Sequence, residues 1–239
     1  VCGDVCIWKP SEKTPLCSIA CQNVIEKVLK KNKMPEGISC LINGGASVGK
    51  WMSEDKRIPL ISATGSTNMG RKVSEAVGKR LGKTLLELGG NNAIIITPDA
   101  NIKMTIIGAV FGAVGTCGQR CTSTRRLIIH EDVYSDVLAS LKKAYKQLKI
   151  GNPLNTENHI GPLIDEESVN QYLSAINKAD NEGANWIIKG KSLSGKGYES
   201  GCYVSPSIAE IDADASIVQT ETFAPLLYVI KYSGDVENA

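Results

Sequence analysis

The sequence predicts an α/β fold whose first part is a parallel, doubly wound sheet. Two observations carry that expectation. Short apolar runs alternate with longer amphipathic stretches, and Gly, Asn or Pro marks most of the changes between them. A third observation sets the scale: the 239 residues are 42% hydrophobic and 22% charged, enough for one good core or two small ones.

Each element follows from that alternation. Residues 4–9 read as a strand, 15–33 as an amphipathic helix, 38–42 as a strand, 47–55 as a helix, 59–62 as a strand, 66–81 as a helix and 84–88 as a strand. A second α/β region follows, with a strand at 93–96, a helix at 102–115, a strand at 125–129 and a helix at 133–148. Beyond Gly151-Asn152-Pro153 come a helix at 166–182, a Gly/Ser/Lys-rich surface stretch at 189–201, and strands near 203–211 and 226–232. Residues 236–239 read as the start of a further helix. The domain junction falls at residues 88–90, giving domains 1–88 and 89–239. That junction would place Glu87 beside a cleft, where ligands commonly bind.

Composition excludes several function classes. A net charge of +2 spread along the chain offers no basic stripe for nucleic acid. No apolar stretch approaches the ~18 residues of a membrane span, and no charged-then-apolar leader opens the chain, so a cytosolic protein is expected. The eight cysteines include the pairs Cys2/Cys6, Cys17/Cys21 and Cys117/Cys121. With only His130 and His159 beside them and no Cys-x2-Cys pattern, no metal site is expected. Cys117 is read as a packing residue, with the alternative that it resolves an oxidised Cys121 as a disulfide. Residues 44–50 fit Gly-x4-Gly-Lys, but Trp51 stands where a magnesium-binding hydroxyl is required, so a plain strand-to-helix turn is expected there.

Two short motifs carry the chemistry. Residues 112–121 read Gly-Ala-Val-Gly-Thr-Cys-Gly-Gln-Arg-Cys, with small residues ahead of Cys121 and three cations, Arg120, Arg125 and Arg126, that could stabilise a thiolate. A cysteine in isolation is more often a small core residue than a nucleophile. Upstream, Leu85-Leu86-Glu87-Leu88-Gly89-Gly90-Asn91-Asn92 holds one carboxylate in an apolar run, a setting that can turn an acid into a general base near neutral pH, although such an acid in isolation is more often a structural, salt-bridged one.

Together these motifs resemble the aldehyde dehydrogenase superfamily, with its Leu-Glu-Leu-Gly-Gly base motif and Gly-Gln-x-Cys nucleophile motif. The likeness runs in register along almost the whole chain. Trp8-Lys9-Pro10-Ser11-Glu12 resembles the adenosine-ribose motif. Residues 65–70, Gly65-Ser66-Thr67-Asn68-Met69-Gly70, resemble the dinucleotide loop, where Ser66 is either a plain N-cap or a cofactor contact. Glu221-Thr222-Phe223-Ala224-Pro225 resembles the nicotinamide-ribose motif, with Ala224 in place of the commoner Gly. Finer features at 91–92, 118–122 and 220–225 are most similar to the antiquitin, or α-aminoadipic semialdehyde dehydrogenase, branch.

The resemblance implies a partial Rossmann-like cofactor domain over 1–88 and a partial catalytic domain over 89–239. It implies Cys121 as nucleophile and Glu87 as general base. Lys9, Ser11, Glu12, Gly65, Ser66, Gly70, Leu88, Glu221 and Phe223 would bind the cofactor, and Arg120 and Thr122 the substrate, with a structural ion pair the alternative for Arg120. The cofactor expected is NAD, since an acid at position 12 would repel a 2′-phosphate. The partners implied are a small-molecule aldehyde and further copies of the chain, as a homotetramer; lysine catabolism is the implied context. Because the chain opens without Met and the family's oxyanion-hole Asn and C-terminal segments have no counterpart in it, an internal fragment, itself inactive, is expected. Three readings stand: a semialdehyde dehydrogenase, an inert fragment or scaffold that keeps the motifs, and an acylating CoA-dependent relative, which a retained Glu87 disfavours.

Overall fold

The computed structural model describes residues 3–239, so the Cys2 of the first cysteine pair and the expectations at Val1 lie outside the described residues. The chain forms two compact units, the first ending at Leu88 and the second running Gly89–Ala239.

In the first unit, β1 (Cys6–Trp8), α1 (Pro15–Lys31), β2 (Ser39–Leu41), α2 (Ala46–Glu54), β3 (Leu60–Thr64), α3 (Thr67–Lys79) and β4 (Lys83–Glu87) follow the expected alternation. All pairing is parallel, as helix-connected strands require. The strands nevertheless form two separate pairs, β1 with β2 and β3 with β4, and not the continuous sheet expected from sequence. Two helices stop short of their expected ends because the backbone turns left-handed at Lys33 (φ 54°) and Leu81 (φ 59°). The amphipathic face of α1 is not a core face: its buried side chains are Ser18 and Gln22, whereas Leu16 and Val24 are exposed. Gln22 Nε2 donates to the Ser39 carbonyl at 2.9 Å and so ties the helix to β2 through polar contacts.

The second unit holds β5 (Asn92–Ile96), α4 (Ile102–Val114), β6 (Thr124–His130), α5 (Glu131–Tyr145), α6 (Glu166–Asn181), β7 (Asn185–Ile188), β8 (Ser207–Glu210) and β9 (Leu226–Tyr232). They form one sheet in the order β5-β6-β9-β8-β7. Four of its strands are parallel; β7, which the sequence reading passed over, pairs antiparallel with β8. Gly183 (φ 86°) reverses the chain directly after α6, and a four-residue strand is too short to show a period. β8 is shorter than the expected 203–211, since Pro206 immediately before it has no N–H for a ladder. α5 begins ahead of the expected residue 133, because His130 caps it, Nδ1 accepting from the Asp132 N–H at 3.2 Å. The last turn, Val236–Asn238, is a 3-10 turn.

The core belongs to the second unit. Leu127, Ile129, Leu227 and Val229 on adjacent β6 and β9 are wholly buried and pack with Val137 and Leu141 of α5. Among the described residues, the first unit buries only Val77 and Pro10 as apolar side chains. No described helix is long and apolar enough to cross a membrane.

Candidate functional site

The second unit assembles three motif loops at one edge of its sheet. Strands β5 and β6 are parallel, so α4 must carry the chain back from the end of one to the start of the other. Its C-terminus therefore delivers the cysteine turn to the N-terminal edge of β6. There the backbone is left-handed at Thr116 (φ 54°), Cys117 (φ 54°) and Gly118 (φ 68°). For the two side-chain-bearing residues this costs roughly 1–2 kcal/mol each, so the turn needs external support.

Gln119 supplies part of it. Its Nε2 donates to the Thr116 and Pro162 carbonyls at 3.1 and 3.3 Å, and its Oε1 accepts from the Ile164 N–H at 2.9 Å. Asn92 supplies more, Nδ2 donating to the carbonyls of Cys121 (2.7 Å) and Ser123 (3.0 Å). Cys121 and Thr122 are exposed on this turn. Cys117 is instead 1% exposed, and burial pushes its thiol up to about 12, as a packing residue would show. Both thiols are free.

The loop ahead of β9 meets the same edge. Glu221 Oε1 accepts from the Gly90 N–H at 3.0 Å, and a Cβ on Gly89 would collide with the other carboxylate oxygen. Arg125, 2% exposed at the start of β6, donates from Nη1 to the Ala224 carbonyl at 2.9 Å and from Nη2 to the Arg120 carbonyl at 3.3 Å. Its guanidinium lies 3.9 Å from Glu221 and 5.5 Å from the centre of the Phe223 ring. Burial lowers it to about 10, with Glu221 opposing the shift.

The three arginines are therefore engaged otherwise than as a cationic shell around a thiolate. Arg120 donates to the Phe111 carbonyl at 2.9 Å and stacks 4.7 Å over the Phe111 ring, and Arg126 donates to the Asn91 carbonyl at 2.6 Å. Arg120 does line a groove of about 470 Å³ with Ile107, Val110, Phe111 and Val114 of α4, and with His159.

The first unit places its own site residues. Glu87 ends β4 in register with Thr64, and both it and Leu85 are exposed. The first unit does not by itself enclose this carboxylate in apolar side chains, because it buries few of them. Leu88 packs on Gly70, where a Cβ would lie 2.5 Å from its Cδ2. The Gly65 N–H donates to the Glu87 carbonyl at 3.0 Å. Ser66 is the N-cap of α3, Oγ accepting from the Met69 N–H at 3.1 Å. Lys9 Nζ donates to the Pro10 carbonyl at 2.8 Å and to Glu12 at 3.3 Å. Glu12 is held below its ordinary range by its own backbone N–H first and Lys9 second. Ser11 Oγ accepts from the Lys13 N–H at 3.3 Å. Among the described residues no group of three or more His, Cys, Asp or Glu side chains is placed to hold a metal.

These five motif segments fall in one continuous match to the aldehyde dehydrogenase family, which covers residues 1–239. The chain belongs to the aldehyde dehydrogenase family. It is 45% identical to alpha-aminoadipic semialdehyde dehydrogenase of Bos taurus over 238 residues, covering 99% of this chain and 43% of that protein. It is 46% identical to aldehyde dehydrogenase family 7 member B4 of Arabidopsis thaliana over 232 residues, covering 97% of this chain and 45% of that one. Among solved structures, betaine aldehyde dehydrogenase of Staphylococcus aureus in complex with NAD+ matches with TM-score 0.90 and 30% identity, over 96% of this chain and 45% of that one. PnpE of Pseudomonas sp. WBC-3 matches with TM-score 0.91 and 31% identity, over 99% and 48%. The chain thus spans a little under half the length of these family members.

Asn92, Gln119 and Arg125 were not singled out from sequence as supports of the cysteine turn. Gln119 sits inside the nucleophile motif and Asn92 directly after the glycine pair, so a signal existed for both. The bridging role of Arg125 had none, since its partners lie 5 and 99 positions away.

Proposed function

We propose that this chain carries the chemistry of NAD-dependent oxidation of an aldehyde to its carboxylic acid. The observation that carries the reading is the convergence of the Cys121 turn, the residues after Gly89-Gly90 and the Glu221–Phe223 loop on the N-terminal edge of β5, β6 and β9. In this reading Cys121 Sγ adds to the aldehyde carbonyl, forming a thiohemiacetal whose oxyanion meets nearby backbone N–H groups. Collapse of that adduct expels hydride and leaves a thioester on Cys121. Glu87 takes a proton from the water that attacks the thioester, releasing the acid and the thiolate.

The side chains present fit NAD. A carboxylate accepts hydrogen bonds from ribose hydroxyls, and Glu221 holds Gly90 with one oxygen while a quarter of its side chain stays exposed. Glu12 beside Lys9 offers the same acceptor, with a negative charge that disfavours a 2′-phosphate. Gly65, Ser66 and Gly70 lie around the N-terminal turn of α3, which favours an anion, and Leu88 packs against Gly70. When bound, NAD supplies the hydride acceptor.

Similarity to the semialdehyde dehydrogenases supports a substrate with a remote carboxylate, for which Arg120 in the groove beside Phe111 is the counter-charge and Thr122 a neighbouring contact. A cytoplasmic homo-oligomer is the setting we propose for it, as the motif resemblance implies. The exposure of both Glu87 and Cys121 favours a second reading, a protein that keeps the motifs and binds without turning over. The test is Cys121→Ala in the protein that carries this chain. NADH formation from α-aminoadipic semialdehyde should vanish while NADH binding, read by fluorescence, persists. Activity retained above about a tenth of wild type would rule out Cys121, and binding without turnover in the wild type would establish the second reading.

A further inference from the structure

The geometry points to Arg125 as a positioning residue that couples the Glu221–Ala224 loop to the Cys121 turn. The inference rests on the reading of Cys121 as nucleophile and adds a residue to it. Arg125 is among the largest fully buried side chains of the described residues, and one guanidinium holds a carbonyl from each loop, Ala224 on one side and Arg120 on the other. Its flat, forked head offers each carbonyl a separate nitrogen in a fixed geometry, which the single ammonium of a lysine does not. Its Nε is buried without a partner, and Glu221 at 3.9 Å is only a loose counter-charge. A buried cation held this way costs stability that an apolar residue of similar size would not, so packing alone does not account for it. The backbones it joins are also in direct contact, since a Cβ on Gly118 would stand 2.5 Å from the Ala224 carbonyl. A ligand that moves Phe223 or Glu221 therefore moves the carbonyl one residue before Cys121.

A double-mutant cycle read on one thiol tests this. Phe223→Ala is the first arm, because the ring contact recorded for Phe223 is with Arg125, whereas Glu221 also reaches the cysteine turn through Gly90 and Asn92. Arg125→Lys is the second, keeping the charge and losing the fork. The readout is the rate of Cys121 alkylation by iodoacetamide, located by peptide mass mapping. With Arg125 present, Phe223→Ala should change the rate by about threefold or more, as touching residues couple. With Arg125→Lys in place the same substitution should change it by less than about half that, with Cys117 unlabelled and Cys202 unaltered throughout. Equal effects in both backgrounds overturn the proposal, and so does labelling of Cys117 and Cys202 in step with Cys121, which marks general loosening. Should Arg125→Lys not fold, hydrogen exchange on Phe223→Ala alone answers. Faster exchange at the amides of residues 120–123 supports the coupling, and unchanged exchange overturns it. A wild-type Cys121 no more reactive than Cys202 counts against the nucleophile reading and leaves the cycle intact.

Discussion

Gly118 and Ala224 meet backbone to backbone, so closely that the first atom of any side chain on Gly118 would fall 2.5 Å from the Ala224 carbonyl carbon and oxygen. The contact joins the nucleophile motif to the Glu221–Phe223 motif across more than a hundred positions of chain. Gly118 is also left-handed, at φ 68°.

Gly118→Ala should therefore be among the most damaging single-methyl changes in the second unit. Left-handed strain of roughly 1–2 kcal/mol adds to overpacking of roughly 1–3 kcal/mol. Urea unfolding should show a loss on the order of 2–5 kcal/mol, with Ala substituted at the open position Gly108 as the mild control. A loss below about 1 kcal/mol would mean that the two loops separate freely.

Asn92→Asp exchanges a double donor for a carboxylate facing the Cys121 and Ser123 carbonyls. About 1–3 kcal/mol should be lost from stability, and the cysteine turn should exchange its amides faster than α5 or α6 does. Uniform exchange across the unit would show that Asn92 supports the fold generally and not that turn.

Alkaline pH should unfold the second unit early. Burial raises Cys117 from 9.0 to about 12 and raises Tyr134, Tyr145, Tyr172 and Tyr228 above their ordinary 10.0. Each raised acid keeps its proton in the folded state over a range where the unfolded chain has lost it. The unfolded state then binds fewer protons, and stability falls as pH rises. The loss starts near pH 9 with Cys117 and steepens above pH 10 with the tyrosines. Thermal unfolding scanned from pH 8 upward should show this decline, and Cys117→Ala should flatten its first part. An unchanged early slope in that variant would remove Cys117 from the account.

Glu87→Gln should leave acylation intact and slow deacylation by ~10²–10⁴-fold, the usual loss when general-base help is removed. Rapid mixing of the protein that carries this chain with NAD and aldehyde should give a burst of NADH followed by slow turnover. Loss of the burst with cofactor binding intact would place Glu87 before hydride transfer.

What the sequence by itself determined was local and periodic. Alternating elements, the Ser66 cap and the order of five motifs are written in neighbouring residues, because helix period, cap chemistry and glycine turns act within a few positions. The expected ends of helices at residues 33 and 81 failed where single residues, Lys33 and Leu81, turned left-handed, and β7 was too short for its period to register. The tertiary structure alone decided which apolar faces are buried. α1 looks amphipathic yet turns Ser18 and Gln22 inward, and beside Glu87 Leu85 stays exposed while Leu86 and Leu88 are only half-buried, whereas β6 and β9 bury nearly everything they carry. It also decided what the arginines do. A sequence shows three cations beside a cysteine, but whether each meets a thiolate or a carbonyl depends on backbone brought in from 5 to 99 positions away. That is why Arg125, read from sequence as a charge near Cys121, proves to be a buried tie between two loops.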